Sequence, residues 1–68
     1  MTQNEMVLNY LQHNRSISDS QAFTQLGIRR LAARINNLRD AGHKIVTVMC
    51  REWNGNRFVR FARYRIEQ

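Results

Sequence analysis

The stretch SDSQAFTQLGIRRLAARINNLRDAG, from Ser18 to Gly42, decides the fold. Ser18 and Gln21 have the spacing of a capping box, in which the serine oxygen takes a free helix amide and the glutamine reaches back. That spacing predicts a short helix over about residues 19–25, with Ala22, Phe23 and Leu26 as its apolar residues. Gly27 follows at once. Glycine takes a positive φ without steric cost, so it can turn the chain sharply between two helices. Ile28 is the expected buried residue of that turn. A longer helix is then expected over about residues 29–41, with Gly42 as its C-terminal stop. At about 100° per residue, Leu31, Ile35 and Leu38 fall on one side, with Ile28 nearby. Arg29, Arg30, Ala33, Asn36, Asn37 and Asp40 fall on the other, and Arg34 and Arg39 flank the apolar stripe. Short helix, glycine turn and longer helix form a helix-turn-helix layout.

On the N-terminal side, Thr2 and Glu5 make a second capping-box pattern. Met6, Val7, Tyr10 and Leu11 recur at helical spacing behind it, which predicts a first helix over about residues 3–13. Ser16-Ile17-Ser18 is a short link whose one apolar residue, Ile17, is placed to add a stub strand to a sheet.

On the C-terminal side the pattern changes to strands. Residues 44–50 are rich in β-branched side chains and residues 58–66 in aromatic ones. Asn54-Gly55 between them is a strong signal for a two-residue type I′ hairpin. Such a loop pairs Trp53 with Asn56, Glu52 with Arg57, Cys50 with Val59, Val48 with Phe61, Thr47 with Ala62 and Ile45 with Tyr64. One face then carries Ile45, Thr47, Met49, Ala62, Tyr64 and Ile66 and is assigned to the core. The other carries Val46, Val48, Cys50, Val59 and Phe61, flanked by Arg63 and Arg65. The expected fold is α+β: three helices, then a two-stranded hairpin, in one domain spanning residues 1–68.

Charge narrows the function. Eleven Lys+Arg against five Asp+Glu give a net charge of +6. Residues 1–28 hold one base (Arg15) against Glu5 and Asp19. Residues 29–68 hold ten bases against Asp40, Glu52 and Glu67. A field polarised in this way suits a polyanion docking on one side. Ten of the eleven bases are arginine, whose planar fork matches a phosphate or a guanine edge.

The outward face of the helix at 29–41 suits the major groove of double-stranded DNA. Its first turns are expected to enter deepest, arginine reads guanine, asparagine reads adenine, and Ala33 permits a close backbone approach. The expected contacts are Arg29, Arg30, Ala33, Arg34, Asn36 and Asn37. The hairpin adds Arg51, Asn54, Asn56, Arg57 and Arg60 around its glycine tip. A basic hairpin after such a helix reads as a wing that lies along the backbone or in the minor groove.

Residues 27–45 (GIRRLAARINNLRDAGHKI) resemble the centre of a family of small winged helix-turn-helix proteins common in bacteriophages and prophages. The carriers are the glycine turn, the Leu31-Ala32-Ala33-Arg34-Ile35 core, Leu38-Arg39, Gly42 and Ile45. Tyr64-Arg65-Ile66 matches the family's close near the C-terminus. The resemblance implies a winged helix-turn-helix and DNA binding, as in a transcriptional regulator or a recombination-control accessory protein. The contact residues above are read from the helical wheel and the hairpin, not from the resemblance.

Other classes find less support. The five carboxylates are scattered, and neither His13 nor His43 stands at motif spacing from a nucleophile, so no catalytic residues and no cofactor are expected. Cys50 with two histidines falls short of a zinc site, and no metal is expected. No apolar run approaches the roughly 18 residues of a membrane span, and no secretory signal is visible. A bacterial cytoplasmic or nucleoid location is expected. RNA ranks below DNA because no aromatic platform for unstacked bases is evident. The strongest alternative is a protein-interaction module. The apolar outer hairpin face (Val46, Val48, Cys50, Val59 and Phe61) suits a second copy in a homodimer or cooperative array, or a phage or host protein.

Overall fold

The computed structural model describes residues 1–67. Three helices, α1 (Gln3–His13), α2 (Asp19–Leu26) and α3 (Leu31–Asp40), are combined with three strands, β1 (Ile17–Ser18), β2 (Ile45–Trp53) and β3 (Phe58–Ile66). The architecture is α+β, with an antiparallel sheet in the order β1-β3-β2. The stub strand at Ile17 is present, pairing Ile17 with Tyr64 and Ser18 with Arg63.

Both capping boxes form. The Glu5 amide donates to Thr2 Oγ1 at 3.2 Å, and the Thr2 amide donates to Glu5 Oε1 at 3.3 Å. At α2 the Gln21 amide donates to Ser18 Oγ at 3.3 Å and the Ser18 amide to Gln21 Oε1 at 3.1 Å. The second helix runs one residue past its expected end, to Leu26, the last of its apolar residues. Gly27 then turns left-handed, at φ 69°. This bends the chain back so that the Ile28 amide reaches the Ala22 carbonyl at 3.0 Å.

That turn corrects the expected start of the third helix. Burying Ile28 uses up the residues that follow, and Arg30 sits at φ −114°, ψ 64°, outside the helical region. Arg29 and Arg30 therefore lie in the turn, not on the first turn of α3. The other end behaves as expected. Gly42 takes φ 101°, the His43 amide donates to the Leu38 carbonyl at 3.1 Å, and the Gly42 amide to Arg39 at 3.0 Å. These two bonds are those of a Schellman stop.

The hairpin corrects the expected register by two residues. Its loop has four residues, 54–57, and Trp53 pairs with Phe58, Glu52 with Val59, Arg51 with Arg60, Cys50 with Phe61, Met49 with Ala62 and Val48 with Arg63. The reason is the Asn54 side chain. Its Oδ1 accepts the amides of Asn56 and Arg57, both at 3.0 Å. A type I′ turn needs positive φ at Asn54 and Gly55 together, and here only Gly55, at 101°, has it. The asparagine carbonyl closes a wider loop instead. Side chains alternate with a period of two, so an even shift keeps every residue on its expected face.

The core comprises Val7, Leu11, Ile17, Ala22, Ile28, Leu31, Ile35, Leu38 and Ile45, with Tyr64 and Ile66 packed against it. It ends at the base of the hairpin. Met49 faces the helix side, as expected, but is 59% exposed, and Thr47 is exposed too. The helices are too short to cover a hairpin whose strands have nine residues each, at about 3.3 Å per residue. β2 also runs past Cys50, the end of the stretch expected to form it, to Trp53.

Candidate nucleic-acid interface

Basic and amide side chains gather in two places. The first surrounds the start of α3. Arg29 and Arg30 are exposed in the turn, and the Arg29 guanidinium stands 5.5 Å from the ring centre of exposed Phe23. Gln3, Gly27, Arg29, Arg30 and Arg34 line an open depression of about 390 Å³. Arg34 is half-buried. Its Nη1 donates to Gln3 Oε1 at 3.5 Å, and its Nε is shielded from solvent with no hydrogen-bond partner among the described residues. Three arginines thus line one concavity. α3 begins without a side-chain cap, so its first free amides point toward the same end. Guanidinium forks beside helix amides suit a phosphate oxygen.

The second half of α3 carries amides. Asn36 is exposed. Asn37 is exposed and donates from Nδ2 to Asn4 Oδ1 at 3.4 Å. Ala33 is half-buried, whereas Ala32 is exposed. Two adjacent alanines leave this face of the helix low, so a groove wall can approach the backbone.

Gln3, Asn4 and Ala32 are neighbours of the site that sequence reasoning missed. Ala32 stands about 40° from Asn36 on the same helical wheel, a local signal that could have found it. The contacts of Gln3 and Asn4 span 31 and 33 residues of chain, a separation that local pattern cannot supply.

The second gathering is the hairpin beyond the core. Arg51, Asn54, Asn56, Arg57 and Arg60 are all exposed. Asn54 differs from the others because its carbonyl oxygen is committed to the loop. Arg51 and Arg60 stand directly opposite each other on the helix-side face. Arg39 links the two gatherings. From the last turn of α3 its Nε donates to the Ile45 carbonyl at 2.9 Å and its Nη2 to Thr47 Oγ1 at 3.1 Å. Arg39 is therefore a clasp between α3 and β2.

A family model for the winged helix-turn-helix domain matches residues 2–68. The chain belongs to the winged helix-turn-helix domain family. No curated protein and no solved structure matches it. In winged helix-turn-helix terms, α2 and α3 are the helix pair and the β2–β3 hairpin is the wing. Membership points to DNA binding in general.

The outer face of the wing brings together Val46, Val48, Cys50, Val59 and Phe61. Val48 is 41% exposed and the other four are half-buried. Phe61 is flanked by the Arg63 guanidinium, 5.3 Å from its ring centre. Beside it an open groove of about 420 Å³ runs from the start of α2 to Glu52. Among the described residues no three His, Cys, Asp or Glu side chains gather as a metal site, and no helix is long and apolar enough to cross a membrane.

Proposed function

We propose that this winged helix-turn-helix domain binds specific sequences of double-stranded DNA and carries no catalytic centre. α3 lies in the major groove, with Asn36 and Asn37 at base edges and Ala32 and Ala33 allowing close approach. Arg29 and Arg30 each hold a phosphate at the groove's edge, with Arg34 lining the same depression. The wing follows the backbone or the minor groove through Arg51, Arg57 and Arg60. The resemblance of residues 27–45 to small phage and prophage proteins supports a role as a transcriptional regulator or recombination-control accessory protein in a bacterial cytoplasm or nucleoid.

The observation that carries this reading is the three-arginine depression at the uncapped start of α3. Selection of bound duplexes from a random pool tests it. A recovered consensus supports sequence-specific binding, and no duplex retained at low salt rejects it. At base-reading positions Asn36→Ala weakens the selected duplex by about 1–3 kcal/mol and relaxes one position of the consensus. Loss of affinity without relaxed preference instead assigns the residue to the backbone.

A second reading rests on the outer wing face. Its contiguous apolar residues, with Val48 exposed, suit a second copy of the chain or a phage or host protein. Sedimentation of wild type and Val48→Asp tests the homodimer. A monomeric mass for both rejects it.

A further inference from the structure

The helix-side face of the wing carries an aromatic pair beyond the core. Trp53 and Phe58 stand directly opposite each other next to the loop, with ring centres 5.2 Å apart and planes at 65°. They are 55% and 57% exposed. The Arg51 guanidinium lies 4.6 Å from the Phe58 ring centre, and Arg60 is its cross-strand partner. Like charges placed directly opposite destabilise a sheet. Among the described residues no carboxylate offsets them: Glu52, the one acid of the hairpin, belongs to the outer face. The patch is therefore aromatic and cationic, and it corrects the expectation that the chain has no aromatic platform for unstacked bases. An apolar protein surface docked here would desolvate two arginines without a counter-charge, at a large cost. A nucleic-acid strand offers both of the complements the patch lacks: a π-face for stacking and phosphates for the guanidiniums.

We propose that Trp53, backed by Phe58, stacks on a base of the bound duplex at a step opened from the minor groove, with Arg51 and Arg60 on the flanking phosphates. The proposal rests on the duplex-binding reading above and adds that the wing unstacks and bends the DNA. Its face is the one Arg39 clasps at Thr47, so the stacking rings and α3 lie on the same side of the sheet.

Trp53 is the only tryptophan in the chain, so its emission reports on this site alone. The experiment titrates the full chain with a selected, end-labelled duplex. It follows duplex anisotropy, tryptophan emission and end-to-end energy transfer together. Emission is expected to be quenched in step with binding, and energy transfer to rise as the duplex bends. Trp53→Leu keeps the far-ultraviolet circular dichroism of the wild type, binds about ten-fold more weakly and no longer bends the duplex. The slope of log affinity against log salt stays unchanged, because no cation has been removed.

A bound duplex with unchanged emission, or a Trp53→Leu chain that binds and bends as wild type does, overturns the stacking and leaves duplex binding standing. No duplex binding by wild type removes both. An emission shift on vesicles of phosphatidylcholine and phosphatidylglycerol, without one on duplex, assigns the face to an anionic membrane surface and overturns the proposal. So does a shift that depends on protein concentration alone, which assigns it to a second copy.

Discussion

Removing Arg29 and Arg30 together is the most informative perturbation of the proposed interface. Both side chains are exposed in the turn before α3, so alanine at both positions leaves the core untouched. Five arginines are exposed at the two gatherings: Arg29, Arg30, Arg51, Arg57 and Arg60. If each neutralises one phosphate, log affinity falls against log salt with a slope of about −4.5, from roughly −0.9 per contact on B-form DNA. Between about 50 and 200 mM salt that slope weakens binding about 500-fold. The double variant keeps three contacts, so its slope drops to about −2.7 and its loss over the same range to about 40-fold. Fluorescence anisotropy of a labelled duplex over a salt series measures both. A double-variant slope equal to that of wild type refutes the placement of Arg29 and Arg30 on phosphates. A wild-type slope near zero refutes the whole electrostatic account.

Three further outcomes concern the scaffold. Gly27→Ala meets no atom within 4 Å of the added Cβ but must hold φ near 69°, so urea titration is expected to show a loss of about 1–2 kcal/mol from backbone strain alone. Ile35→Ala, at a fully buried position, is expected to cost about 2–5 kcal/mol. That is a large share of the stability of a 68-residue domain, and a lowered thermal midpoint by circular dichroism reads it. Asn54→Ala leaves the Asn56 and Arg57 amides without their acceptor. Amide exchange is expected to speed up at residues 52–59 while the helices keep their protection.

The helices were legible because their signals are local. The Thr2–Glu5 and Ser18–Gln21 boxes each announce a helix start within four residues, and Gly27 and Gly42 mark two ends. The start of α3 was not, because Arg29 and Arg30 are good helix formers and nothing in their identity reveals that burying Ile28 holds them in the turn. Asn54-Gly55 was ambiguous for another reason. The same asparagine that tolerates a tight turn also carries an oxygen able to close a wider one. Met49 misled because alternation identifies a face but not how far along the strand its cover extends. At the candidate site, the arginines and amides were visible as composition. The depression that unites Arg29, Arg30 and Arg34 was not, since Gln3 reaches it only through tertiary packing.

The four-residue loop has a consequence for how this wing can change over generations. Insertions or deletions at residues 54–57 that re-pair the strands by an even number of positions leave Trp53, Phe58 and the two arginines on the side of α3 and Val48 on the other. An odd shift reverses the faces of one strand against the other, so Trp53 and Phe58 part to opposite sides and one strand turns its core residues outward. Length variants of this wing among descendants should therefore come in steps of two, with odd steps tolerated only where a bulge absorbs the extra residue.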